Sequence, residues 1–261
     1  VILKVICPVI RRLFTADSQV LGGAVSMGVK SIIANLRKMP IPPHDPGMNQ
    51  AVITGAGGAL GSAIAAAMKS PDWDIFGPPS AELDVREKAA VRRYFDKRAV
   101  DLLVCAAGIT RDAPLARVTV ADWDEVLAVN FNGALNCARA VLPGMIERKV
   151  GHIIFVSSFS ALHPPPGQSA YATAKAALLG LTKDLANTHG RNGVRVNAIL
   201  PGFMESRMTA SVSARRLEAI RADHLLGRFN GAREVAKFVR HLHHDLPHTS
   251  GQVFQLDSRI S

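Results

Sequence analysis

The chain is predicted to fold as an α/β protein, a doubly wound parallel sheet forming a single domain behind an N-terminal appendage. Three observations predict it. From residue 50 onward, short apolar runs alternate with segments of helical periodicity. The apolar runs lack polar alternation, as strands covered on both faces do. The first run also ends in a glycine-rich turn that opens a helix, the usual start of an alternating strand–helix unit.

Taken in order, the first strand "QAVITG" runs into "TGAGGALG", with glycines at 55, 57, 58 and 61, and then into the small-residue helix "LGSAIAAAMKS". Such a turn lets backbone N–H groups approach a pyrophosphate, whose charge the helix N-terminus favours; a tight turn without a ligand would use the same residues. The second strand, "DIFG", reaches "AELDV" so quickly that a helix usual at that place is missing, and Asp84 on its own reads as a cap for the helical "VREKAA". The third, "DLLVCAAG", leads to one long helical segment, "ADWDEVLAVNFNGALNCARAVLPGMIERK". The fourth, "HIIFVSS", ends at Ser157 and Ser158 before a proline-rich loop and the helix "YATAKAALLGLTKDLANTHG". After the fifth, "VRVNAILPG", an amphipathic stretch over residues 204–229 reads by position as a lid. The helix "AREVAKFVRHLHH" and the strand "QVFQLD" close the pattern.

Upstream, residues 39–50 hold four prolines and a glycine, the composition of an extended linker. Residues 1–47 therefore read as a basic tail and linker, or as an over-extended reading frame, with the domain beginning at Met48. This tail carries +4 of the formal net charge of +10. A basic surface suits nucleic acid, anionic membrane or a small acidic partner. However, aromatic residues are only 5% and no RNP-like or zinc-finger spacing occurs, so no nucleic-acid partner is expected. No run of about 18 apolar residues argues for a membrane span. Cys7, Cys105 and Cys137 are widely spaced and form no C-x-x-C pair, which fits a reducing, cytoplasmic setting. The four histidines of "RHLHHDLPH" read as a solvated helix end, and no metal is expected.

The chemistry lies in "YATAK". Tyr171 and Lys175 stand four apart on one helical stripe, close enough for the ammonium to stabilise a phenolate and make the phenol usable as an acid or base. Ligands in doubly wound sheets bind outside the carboxyl ends of the strands. Ser158, Tyr171 and the glycine turn all belong to that edge. Together they suit a carbonyl held by Ser158 and protonated by Tyr171 while a nicotinamide delivers hydride.

From Gln50 to Asp257 the chain resembles the short-chain dehydrogenase/reductases, a Rossmann-like family. The resemblance rests on Ser158, Tyr171 thirteen residues later and Lys175, with Asn130 in "VNFNG", Pro201 and Gly202 in "RVNAILPGF", Asp84 in "ELDV", and "SGQVFQLD". It implies that Tyr171 donates the proton, Ser158 hydrogen-bonds the carbonyl, Lys175 binds the nicotinamide ribose and lowers the phenol pKa, and Asn130 holds a water that links Lys175 to solvent. It also implies cofactor contacts at Gly55, Gly57, Gly58, Leu60, Gly61, Asp84, Val85, Ala107 and Gly108, with Pro201 and Gly202 joining Tyr171 and Lys175 at the nicotinamide end. Asp84 would then reach the adenine.

The stretches "AGITRDAPLARVTVADWDEVLAVNFNG", "GQSAYATAKAALLGLTKDLA" and "PGFMESRMT" are most similar to 3-oxoacyl-[acyl-carrier-protein] reductases. That implies an acyl thioester substrate, an acidic acyl carrier protein as partner, with Lys149 and Arg191 near the relevant segments, and a homotetramer. Four departures stand out. Ala59 replaces the middle glycine of T-G-x-x-x-G-x-G, "CAAG" replaces N-N-A-G, the connection after "DIFG" is short, and "DSR" replaces D-G-G. The second strand ends without the acid that NAD-binding relatives carry, so NADP(H) is expected over NAD(H). Two alternatives stay open: a dehydrogenase of the same family acting on a sugar, polyol, steroid or aromatic diol, and a non-catalytic nucleotide-binding subunit.

Overall fold

The computed structural model describes residues 48–260; the N-terminal tail and linker, and the question of a start at Met48, lie outside the described residues. Six strands form one fully parallel sheet: β1 (Asn49–Thr54), β2 (Trp73–Phe76), β3 (Leu102–Cys105), β4 (Gly151–Val156), β5 (Val194–Leu200) and β6 (Val253–Gln255), in the order β2-β1-β3-β4-β5-β6. Among the described residues seven α-helices accompany them: α1 (Ala59–Met68), α2 (Lys88–Phe95), α3 (Val120–Leu127), α4 (Gly133–Arg148), α5 (Ser169–His189), α6 (Ala214–Ala222) and α7 (Ala232–His244).

Alternate residues of each central strand enter separate cores. Val52, Leu103, Ile153, Phe155 and Val196 face Val91, Val141 and Leu178 of α2, α4 and α5. Ala51, Ile53, Leu102, Val104, Ile154 and Ile199 face Ile64 and Met68 of α1 and Val235 and Val239 of α7. This two-sided burial explains the unbroken apolar runs in the sequence. Each fully buried branched side chain contributes about 1.5–3 kcal/mol, so the sheet is the rigid platform of the molecule.

Two features differ from the simplest sequence reading. The long segment after β3 is not one uniform helix: α3 passes through a π-helical turn, Ala128–Asn132, into α4. Such a bulge turns side chains off the regular 3.6-residue stripe, and it contains Asn130. Asp84 does not cap α2 either; Glu87 occupies that position, and Asp84 instead accepts hydrogen bonds from Arg86. Between Phe76 and Asp84 the chain makes only turns, consistent with the short connection.

Candidate active site

The carboxyl ends of four neighbouring strands meet on one edge of the sheet. β1 delivers Gly55, Gly57 and Gly58, β3 delivers Ala107 and Gly108, β4 delivers Ser158, and β5 delivers Pro201 and Gly202. The chain leaves β1 towards β2 on one side and resumes at β3 on the other, so the crevice lies at a topological switch point.

Gly55 has φ of 72°, and a Cβ there would lie 2.6 Å from the Ala107 nitrogen, so only glycine lets the β1 turn pack against the β3 loop. The Thr54 hydroxyl accepts the Ala107 N–H at 3.3 Å and reaches the Val104 carbonyl at 3.5 Å, bracing β1 to β3. Gly61 tucks under the turn, where a Cβ would sit 2.4 Å from the Gly55 oxygen. Leu60 is half-buried against the α1 side of the core. Ala59 is exposed at the first position of α1.

Ser157 and Ser158 divide their work at the end of β4. The Ser157 hydroxyl donates to the Lys175 carbonyl at 2.8 Å, which pins α5 to the strand end. Ser158 accepts the Ser160 N–H at 3.1 Å, and its hydroxyl favours the ionised form of the Tyr171 phenol. One turn along α5, Lys175 is buried and donates from Nζ to the Val156 carbonyl at 2.8 Å. Its ammonium lies 5.6 Å from the centroid of the Tyr171 ring.

Burial pushes the Lys175 ammonium down to about 8. It also pushes the Tyr171 phenol above its usual value, with the Ser158 hydroxyl pulling it back and the Asp112 carboxylate adding to the rise. In this geometry burial dominates the phenol, and the group that opposes burial is Ser158.

The π-turn aims Asn130 into the same place. Its amide donates to the Ile109 and Val126 carbonyls, both at 2.9 Å, while its buried Oδ1 has no partner among the described residues. A methyl built on Gly108 would lie 2.7 Å from that oxygen and 3.6 Å from Lys175 Nζ. An orphan acceptor and an ammonium with two remaining N–H donors thus flank a residue without a side chain, an arrangement that suits hydroxyl groups or water. Gly57 is exposed, with no atom within 4 Å of where its Cβ would be, and α1 begins without a side-chain cap. Both ends of the crevice fit a dinucleotide: open backbone for phosphate and buried donors and acceptors for ribose.

Asp84 fits less simply. Its carboxylate accepts Arg86 Nε at 2.9 Å and Nη2 at 2.6 Å, so both oxygens are engaged, and the neighbouring guanidinium holds it below the usual carboxylate range. Val85 is buried, and its carbonyl accepts from Asn136 at 3.0 Å. Pro201 is buried at the end of β5, its carbonyl bonded to Asn230.

Sequence reasoning overlooked a polar chain that leads to the serine. Gln168 donates to Asp112 at 2.7 Å and accepts from the Ser160 hydroxyl at 2.8 Å, and the Ser160 N–H in turn meets Ser158. Asp112 follows β3, far in sequence from Ser160 and Gln168 in the β4–α5 connection, so no local pattern could have marked the chain. Among the described residues no group of three His, Cys, Asp or Glu is arranged to hold a metal, and no helix is long and apolar enough to cross a membrane.

Comparison with known proteins agrees with this geometry. A family model described as short chain dehydrogenase matches residues 77–217. The 3-oxoacyl-[acyl-carrier-protein] reductase FabG of Thermotoga maritima is 40% identical over 162 residues, 62% of this chain and just under two thirds (66%) of that protein. Its Escherichia coli namesake is 32% identical over 218 residues, covering 75% of this chain and 89% of the relative. In three dimensions, a crystal structure from Beutenbergia cavernae, described as an NAD(P)-dependent gluconate 5-dehydrogenase with bound NADP, superposes with a TM-score of 0.74. It has 27% identity and covers 84% of this chain and 98% of the other.

Proposed function

The chain belongs to the short-chain dehydrogenases, and from that premise we propose that it reduces the 3-oxo group of an acyl thioester with NADPH, the thioester being carried by an acyl carrier protein or coenzyme A. The observation that carries the proposal is the convergence of Ser158, Tyr171, Lys175 and the orphan Asn130 Oδ1 on one strand edge. When bound, the dinucleotide supplies the hydride. Ser158 hydrogen-bonds the substrate carbonyl and stabilises the charge that develops on its oxygen. Tyr171, kept protonated by burial, gives its proton to that oxygen. Lys175 offers its two remaining N–H groups to ribose hydroxyls, and Asn130 Oδ1 holds a water through which the spent proton is replaced.

Identity to the carrier-protein reductases supports the thioester substrate, and the overall basic charge suits an acidic carrier. The absence of an acid after β2, where Phe76 is followed by Gly77-Pro78-Pro79, supports NADPH over NADH. A homotetramer and a cytoplasmic setting follow by the same likeness. The gluconate dehydrogenase neighbour favours one second reading, oxidation of a polyol or sugar acid at the same residues.

The test is oxidation of NADPH and NADH by the full chain with acetoacetyl-CoA, and reduction of NADP by gluconate in parallel. Turnover of acetoacetyl-CoA that prefers NADPH and falls about 10²–10⁴-fold in Tyr171→Phe is the expected result. Turnover with gluconate alone would transfer the proposal to the second reading.

A further inference from the structure

Arg207 lies 150 residues from the glycine turn in sequence, yet its Nη2 donates to the Gly57 carbonyl at 2.7 Å. It is carried on a short turn closed by hydrogen bonds. The Arg207–Thr209 turn follows β5 and is closed by its own residues: the Ser206 N–H donates to Thr209 Oγ1 at 2.9 Å, and that hydroxyl donates to the Met204 carbonyl at 2.9 Å. The guanidinium has five N–H donors, and among the described residues no carboxylate pairs with it and no acceptor other than Gly57 meets it.

Electrostatically the placement is unfavourable as the protein's own residues leave it. Gly57 precedes the N-terminus of α1, the positive end of a helix dipole worth about half a charge. That end has a glycine as its N-cap and no acid in its first turn. Apart from the Gly57 carbonyl, nothing among these groups compensates a second positive charge brought in from the other side of the crevice. An anion lying between them would compensate both, and planar, bidentate recognition of phosphate is what a guanidinium does best.

We propose that Arg207 is a phosphate-binding residue of the dinucleotide site, closing on the cofactor diphosphate from the β5 side while the glycine turn holds it from the β1 side. The inference rests on the dinucleotide-linked reading above. It adds a contact from the segment that follows Pro201-Gly202, so that diphosphate binding and the placement of the substrate-side turn become one event.

The experiment is titration of NADPH, ADP-ribose and adenosine into the full chain and into Arg207→Ala and Arg207→Lys, with thermal melts to confirm folding. Arg207→Ala should weaken NADPH and ADP-ribose about ten-fold or more at low salt, as loss of a charge-assisted contact does. The difference should shrink in about 0.5 M salt, where the Debye length approaches contact distance. Adenosine, which has no phosphate, should bind equally to all three proteins, and Arg207→Lys should recover part of the loss. Unchanged NADPH and ADP-ribose affinity in Arg207→Ala overturns the inference while leaving the cofactor reading intact, as does an equal loss for adenosine, which would mark a distorted turn. Failure of the unsubstituted chain to bind NADPH or NADH overturns both.

Discussion

The His152 cluster at the amino-terminal edge of the sheet and the Lys175 cluster at its carboxyl edge are both buried, and their polar groups are treated in opposite ways. At the amino-terminal edge, His152 is 1% exposed and has both ring nitrogens engaged, with His243 at 3.1 Å and Asn197 at 3.0 Å. Asn197 is satisfied in turn, its Oδ1 accepting the Gln252 N–H at 3.0 Å and its amide donating to His152 and the Thr249 carbonyl. These bonds leave His152 one tautomer: Nε2 accepts from the amide, so Nδ1 carries the proton and donates to His243. At the carboxyl edge, among the described residues, Lys175 is 3% exposed with one carbonyl as partner, and Asn130 Oδ1 has none. The His152 network is complete and rigidifies the fold, whereas the Lys175–Asn130 pair keeps donor and acceptor capacity that a ligand in the crevice can use.

The largest expected effect breaks the comparison from the carboxyl side. Lys175→Met should abolish most reductase activity, by about 10² or more, and at the same time stabilise the fold near neutral pH. Its depressed pKa, about 8 in the native state against about 10.4 unfolded, means that the unfolded chain binds the extra proton. Charged Lys175 therefore costs stability below pH 8, by up to ~3 kcal/mol, less ~1 kcal/mol for the Val156 carbonyl left without its donor. Between pH 8 and 10.4 the native lysine loses its proton first and that cost disappears, so the wild type should gain stability across this window while Lys175→Met does not. Thermal melts of both proteins at pH 7 and pH 10 measure it; equal melting temperatures at pH 7 would mean that the buried ammonium is not strained.

On the amino side the prediction has the opposite sign. His152→Leu should leave activity within about two-fold but destabilise the fold by about 1–3 kcal/mol, because it deprives His243 of its donor and Asn197 of one acceptor inside the core. Urea unfolding at pH 7 measures the loss. A stable variant would show that the network is decorative and that the contrast between the two edges is not one of stability.

Much of this architecture was legible in the sequence. The six strands follow from apolar runs whose residues enter both cores, and Ser158, Tyr171 and Lys175 are fixed by an i,i+4 pair and a strand end, signals that depend on local geometry alone. What was not legible depends on contacts between distant segments. Asn130 owes its inward aim to a π-turn that no periodicity announces. The bidentate Arg86 that occupies Asp84 lies only two residues away, but its choice of partner over helix capping is a rotamer decision. Gln168, Asp112 and Arg207 each act across loops that only the folded sheet brings together.

The smallest effect sharpens the comparison through pH. Burial pushes His243 down to about 3 and His152 lower than usual as well, so both stay neutral in the native state where the unfolded chain, with histidines near 6.5, begins to take up protons. Below pH 6.5 the unfolded state therefore binds more protons than the native one, and stability falls as the pH falls, by at most ~1.4 kcal/mol per pH unit for each histidine. Above pH 6.5 neither contributes any slope. Carboxylates such as Asp84 add their own acid sensitivity, but mostly below pH 5, so the window from 6.5 to 5 belongs to the imidazoles. Urea midpoints at pH 7, 6 and 5 should decline in the wild type and decline less in His152→Leu, which has one fewer proton to exclude. Parallel declines would place the acid sensitivity outside the His152–His243 pair and remove the titration, though not the packing, from the contrast between the two edges.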